Sequence, residues 1–243
     1  MLILFDIDLT LVNTHGLGMA CLGEAGRSLF GPGFSSEGVD FGGRLDPLII
    51  HDLLVQSGVE PTPDNARALR IGYADCFARA LEGDGRSDPL PGALELVESL
   101  GTLDGVTLGL LTGNFEETGT LKIDRAGFEI GRFAVRVWGD DSPHTPPNRS
   151  HLPGVGIERY ASLQGRAIEP EQVVIVGDTV HDVSCALDNA CRVLAVATGH
   201  HDADRLTQAG AHRVVGDLTR TEDIVGWLTN PTTHRASSPR VNA

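Results

Sequence analysis

Leu2-Ile3-Leu4-Phe5-Asp6-Ile7-Asp8-Leu9-Thr10 opens the chain with four apolar residues, then alternating carboxylates and a hydroxyl. The apolar run reads as a buried β-strand. Asp6 then stands at the strand's carboxyl end, and if the strand continues, alternation puts Asp6 and Asp8 on the same side. Two such carboxylates repel by about 4 kcal/mol at roughly 4 Å and an effective dielectric of about 20. A bound cation, or a proton on one acid, relieves that repulsion. An Asx or Thr turn after an ordinary strand end is the other reading of the same residues.

The same arrangement recurs further along. Gly177-Asp178-Thr179-Val180-His181-Asp182 follows the apolar run 173–176 and opens a helical pattern. Asp178 suits a strand-end site or a helix N-cap, and Asp182 suits the first turn of a helix. Leu110-Leu111-Thr112-Gly113-Asn114 also ends an apolar run ahead of a helix. A hydroxyl, a glycine amide and a side-chain amide at a helix N-terminus can cradle a phosphate. They can equally form a turn and a cap.

Beyond Pro89, strand-like runs at 106–111, 133–138, 173–176, 193–197 and 213–215 alternate with helical patterns at 92–100, 116–126, 155–163 and 180–189. That alternation predicts an α/β fold, a parallel sheet with helices on both faces. Ligand sites in such sheets lie at the carboxyl ends of the strands, where all three motifs fall. Residues 15–88 read as a helical insertion after the first strand, so that 1–14 and 89–229 make the α/β core. Within the insertion, Asp46 is expected as N-cap and Pro47 as first helical residue. Residues 230–243, rich in Pro, Ser and Thr, read as a disordered tail.

The composition excludes whole classes. The chain of 243 residues carries 33 acidic and 19 basic residues, a net charge of −14, too acidic for a general nucleic-acid binder. Of the basic residues 18 are Arg and only Lys122 is lysine, so any lysine chemistry must use that position. Four scattered cysteines with no CxxC spacing argue against a zinc site or a disulfide framework. No apolar stretch is long enough to cross a membrane, and the run at 2–5 is too short for a signal peptide. The expected setting is cytoplasmic.

Asp6-x-Asp8-x-Thr10, Thr112-Gly113-Asn114 and Gly177-Asp178 through Asp182, in this order, resemble the motifs of the haloacid dehalogenase superfamily over about residues 1–225. The insertion resembles that family's C1-type cap, as in phosphoglycolate phosphatase-like and β-phosphoglucomutase-like members. The resemblance implies a Rossmann-like core plus cap and a Mg²⁺-dependent phosphatase acting on a small phosphorylated metabolite, as a monomer or homodimer. It implies Asp6 as nucleophile and Asp8 as general acid and then base. Asp6, the Asp8 carbonyl and Asp178 would hold Mg²⁺. Thr112 and Gly113, with Asn114, would bind the phosphoryl group, and Asp182 would position the basic residue or a metal-bound water.

The family's third motif is usually a lysine shortly before the fourth. Here Arg149 stands in that place, and it is expected to supply the charge with a different geometry. Lys122, eight residues after Asn114, reads as a solvated helix cation. Arg44, in a Gly-rich loop of the insertion, is the expected substrate contact from the cap. His15 and His181 read as polar neighbours, and Asp140 and Asp141, at the end of another strand, read either as acids that approach the metal or as second-layer or loop-capping acids. A phosphomutase would use the same Asp6 and Asp8. A 2-haloacid dehalogenase usually lacks the second acid, and a phosphonatase of this family needs a cap lysine that residues 15–88 do not contain. A catalytically silent member of the fold is the remaining alternative.

Overall fold

Leu2 and Leu4 face one side of the first strand and Ile3 and Phe5 the other, so β1 (Leu2–Phe5) is apolar on both faces and fully buried. The computed structural model, which describes residues 1–230, accordingly places β1 in the interior of a six-stranded sheet. The order is β5-β4-β1-β6-β7-β8, with β4 Thr107–Leu111, β5 Val135–Val137, β6 Val173–Gly177, β7 Arg192–Val196 and β8 Arg213–Val215. Every pairing in it is parallel, with Phe5 opposite Leu110 on one side and Val176 on the other. This register brings the ends of β1, β4 and β6 to one level, so Asp6, Thr112 and Asp178 emerge side by side.

Helices cover both faces. Ile3 and Phe5 belong to a core with Leu96, Val97 and Leu100 of α4 (Ala93–Gly101), Ile123 of α5 (Glu116–Arg125) and Ile224 and Leu228 of α9 (Thr221–Thr229). Leu2 and Leu4 pack in a second core with Leu152 and Tyr160 of α6 (Leu152–Gln164), Val183 and Ala186 of α7 (Val180–Asp188) and Leu206 of α8 (Ala203–Gln208). The α/β sheet is therefore the one expected. The strands at 2–5 and 213–215 have the expected bounds, the other bounds agree or differ by at most three residues, and α8 and α9 are additional elements.

Between the short strands β2 (Val12–Asn13) and β3 (Asp88–Pro89) lie α1 (Leu17–Phe30), α2 (Asp46–Gln56) and α3 (Pro63–Glu82). β2 and β3 pair antiparallel, so the chain leaves the sheet and returns to it side by side. The three helices enclose their own core of Leu22, Ile50, Leu53, Leu69 and Phe77. Thr62 caps α3 by accepting from the Asn65 N–H, with Pro63 as first helical residue. Helix α2 departs from the expectation at its start. Leu45 is the N-cap and Asp46 is already helical, its carboxylate turned away to the sheet domain. The expected tail 230–243 lies, apart from Asn230, outside the described residues. No helix among the described residues is long and apolar enough to cross a membrane.

Candidate active site

The carboxyl edge of the sheet and the insertion enclose a cavity of about 210 Å³. Asp6, Asp8, Thr112, Lys122, Arg149 and Asp178 line it from the sheet side, and Met19, Leu22, Phe41, Arg44, Ile49 and Tyr73 from the insertion.

At its floor three buried carboxylates converge. Asp6, Asp178 and Asp182 each offer an oxygen within 4.8 Å of the others. Asp178 is not the cap of α7. Thr179 is, in a capping box with Asp182, which leaves Asp178 to face the site, where it accepts from the Thr10 hydroxyl at 3.2 Å. Gly199 makes room for it: a Cβ there would lie 1.7 Å from Asp178 Oδ2. Asp182, wholly buried, accepts from the Thr179 N–H at 3.0 Å and hydroxyl at 2.6 Å.

Arg149 is the cation of this floor. One guanidinium nitrogen reaches both Asp182 and, at 3.1 Å, Asp6. Another donates to the Gly43 carbonyl of the insertion at 3.2 Å, while its Nε has no partner among the described residues. Burial works against its charge, but Asp182 and Asp6 outweigh burial and hold the guanidinium protonated. For the acids the balance is reversed. Burial, then the charge of Asp182, raises the proton affinity of Asp6 and Asp178 despite Arg149. Three carboxylates against one guanidinium leave negative charge uncompensated in a dry place. An all-oxygen set of this kind fits a hard divalent cation.

Asp8 is held apart from this cluster. Lys122 reaches it from α5 at 2.7 and 2.9 Å, and Asn114 Nδ2 donates to it at 2.9 Å. Lys122 is thus not a solvated helix cation: it is 4% exposed and belongs to the cavity. Helical side chains lean toward the helix N-terminus, so a long side chain in the second turn of α5 reaches back to the strand end. The Asn114 amide is likewise spent on Asp8 and on Lys122, at 2.7 Å, rather than left to face a phosphate. Thr112 and Gly113 do stand at the cavity wall. Gly113 is required by close approach, since a Cβ there would lie 1.9 Å from the Arg44 carbonyl oxygen.

The loop 43–46 closes over this edge. The Asp46 N–H donates to the Gly113 carbonyl at 2.7 Å, and the Asp46 carboxylate accepts from the Phe115 N–H at 3.0 Å. Arg44 lines the cavity with its guanidinium on Asp52 at 2.7 Å. Burial pushes Asp46 up to about 7 from its ordinary 3.8, against the pull of Lys122 and the Phe115 N–H. An acid whose folded value is raised contributes its full stability below the unfolded value and loses it as pH climbs to the folded one. Asp46→Asn, which keeps the acceptor and drops the charge, is therefore expected to gain on the wild type between about pH 4 and 7. Melting curves at pH 4 and pH 8 should show little difference at the first and a more stable variant at the second, by on the order of 4 kcal/mol.

The other candidates lie away from the floor. His15 pairs with Asp88 at 2.9 Å on the surface, and His181 is exposed in the first turn of α7. Asp140 pairs with Arg70 of α3 at 2.6 Å. Asp141 accepts from the Trp138 N–H at 2.8 Å and pairs with Arg159, so it caps its own loop.

Residues 3–196, well over half of the chain, match the family model described as haloacid dehalogenase-like hydrolase. A phosphoglycolate phosphatase of Vibrio vulnificus is 25% identical over 228 residues, 92% of this chain and 95% of that protein. One of Chromobacterium violaceum is 27% identical over 130 residues, 53% of this chain and 54% of that protein's length. A solved structure from Bacteroides vulgatus, provisionally named a β-phosphoglucomutase, superposes with a TM-score of 0.69 at 17% identity, covering 96% of this chain and 90% of that one. At that identity the likeness concerns the fold.

Proposed function

The chain belongs to the haloacid dehalogenase-like hydrolase family, and from that premise we propose that it is a Mg²⁺-dependent phosphatase of a small phosphorylated metabolite. The observation that carries this reading is the pairing of a buried Asp6, held by Arg149 beside Asp178 and Asp182, with a separately held Asp8 on the same cavity.

Asp6 is the nucleophile. One of its oxygens attacks phosphorus in line, the bond to the leaving oxygen breaks, and an aspartyl-phosphate forms on Asp6. Asp8 protonates the departing oxygen. It then takes a proton from the water that cleaves the aspartyl-phosphate. Thr112 and the Gly113 amide orient the phosphoryl oxygens, and Arg149 keeps Asp6 beside them. Asp182 fixes Arg149. Mg²⁺, held by Asp6, Asp178 and the Asp8 carbonyl, would offset the charge of carboxylate and phosphate as they meet. Arg44 faces the rest of the substrate. The division into a core of 1–14 and 89–229 and a cap of 15–88 belongs to the same reading, as does a cytoplasmic monomer or homodimer.

Phosphate release across a panel of phosphorylated metabolites, with Mg²⁺ and with EDTA, tests this. Release that depends on Mg²⁺ is the expected result. Interconversion of sugar-phosphate isomers without net release would make the protein a mutase, and dehalogenation persisting in EDTA would make it a dehalogenase. Silence on every substrate would leave a binding protein on this fold.

A further inference from the structure

The site assigns its two buried cations to different acids. Arg149 serves Asp6 and Asp182, whereas Lys122, the only lysine of the chain, serves Asp8. An ammonium has three N–H donors. Those of Lys122 meet three oxygens, Asp8 Oδ1 at 2.9 Å, Asp8 Oδ2 at 2.7 Å and Asn114 Oδ1 at 2.7 Å, so none is left over for a phosphate. The ring of Phe77, from α3, lies 5.8 Å from the same ammonium.

The grip on Asp8 is unequal. Oδ2 accepts from both Lys122 and the Asn114 amide, at 2.7 and 2.9 Å. Oδ1 accepts, among the described residues, from Lys122 alone, at 2.9 Å. The Asp8 side chain is 37% exposed toward the cavity, while the Lys122 side chain behind it is 5% exposed. Giving up the single bond at Oδ1 leaves the carboxylate anchored; giving up Oδ2 would release it from Asn114 altogether.

We propose that Lys122 and Asn114 clamp Asp8 through Oδ2 and leave Oδ1 as the oxygen that exchanges the proton, which makes Lys122 a positioning residue for that step. The proposal rests on the phosphatase reading. In the first step the proton on Oδ1 passes to the leaving oxygen as its bond to phosphorus breaks and the Asp6–phosphorus bond forms. In the second, Oδ1 takes a proton from water as the water oxygen bonds phosphorus and Asp6 is freed. The clamp has a second effect. It draws the Asp8 carboxylate toward α5 and away from Asp6 and Asp178, so the acid does not collapse onto the metal-binding carboxylates. Arg149, committed to Asp6, does not perform this task.

The test compares kcat/KM for two esters on the Mg²⁺-loaded protein, because that ratio reports the phosphorylation of Asp6. p-Nitrophenol leaves with little help from a proton, and an alkyl alcohol needs one. Lys122→Met should lower kcat/KM about 100-fold on an alkyl phosphate and by no more than about tenfold on p-nitrophenyl phosphate, with Mg²⁺ affinity unchanged. Asn114→Ala, which leaves Lys122 in place, should show the same bias more weakly, and it carries the test if Lys122→Met does not fold. The lone lysine also allows a direct reading: in protein labelled with ¹⁵N-lysine, the single side-chain ammonium resonance should shift in Asp8→Asn. Equal losses on the two esters in a wild-type-active protein, or an ammonium signal indifferent to Asp8→Asn, would overturn the clamp and leave the phosphatase reading standing. A wild type that releases phosphate from neither ester nor any member of the metabolite panel overturns both.

Discussion

Asp6→Asn should abolish phosphate release, by on the order of 10⁴-fold or more, and leave the protein folded. The amide matches the carboxylate in size, so the packing of a side chain at the end of a fully buried strand is unchanged. It lacks the anionic oxygen that forms the bond to phosphorus. Because burial already disfavours charge on Asp6, and Asp182 and Asp8 repel it, removing the charge should not lower the melting temperature of the metal-free protein. The two readouts together separate chemistry from folding: lost release with an unchanged or higher melting temperature is the expected pair. Retained turnover would place the nucleophile elsewhere.

Arg149→Ala is expected to act on both. It leaves Asp6 and Asp182, each buried, without their shared cation. Breaking a buried pair from one side costs about 3–5 kcal/mol. A steep fall in melting temperature without metal should follow, partly recovered by Mg²⁺, which replaces some of the missing positive charge. Activity should fall by at least about 100-fold, because the nucleophile loses its orientation as well as its counter-charge. The loss should exceed that of Lys122→Ala on p-nitrophenyl phosphate, since Lys122 touches Asp8 and not Asp6. A variant that melts like the wild type without metal would mean that Asp182 finds another donor.

The acids of this site are legible in the sequence because each follows an apolar run that can only be a buried strand. Parallel register then does the rest: Phe5 opposite Val176 brings Asp6 level with Gly177, one residue from Asp178, with no long-range information beyond strand order. Arg149 is legible by its place just before a helix, α6, and ahead of the Gly177–Asp182 motif, and the structure sets it on Asp6 and Asp182. Lys122 is not. Counting eight residues from Asn114 measures distance along the chain, whereas the side chain points back along its helix, beneath residues of α3 that the linear reading cannot place. Asp46 is hidden for a similar reason. Asp-Pro at a helix start predicts a local cap, but the carboxylate is taken by the Phe115 N–H, 69 residues away. Pairings along one strand or one helix turn follow from spacing, while those between the insertion and the sheet depend on how two separately packed cores meet.

The paired strands Val12–Asn13 and Asp88–Pro89 give α1–α3 two attachments at one spot. A body joined to another along a single short ribbon turns about it like a door, and displacement grows with distance from the pivot. Asp6, Asp8, Asp178, Lys122 and Arg149 all lie on the frame side of that door, with Met19, Arg44 and Tyr73 on its leaf. Swinging the leaf breaks the bonds of Asp46 to Gly113 and Phe115, those of Arg70 to Glu117 and Asp140, and that of Arg149 to the Gly43 carbonyl, and of these frame-side partners Arg149 alone touches Asp6. On the phosphatase reading, substrate enters and product leaves while Arg149 keeps its bonds to Asp6 and Asp182 and Lys122 its bonds to Asp8, and changes that lighten the latch at Asp46 or Arg70 should alter turnover through exchange.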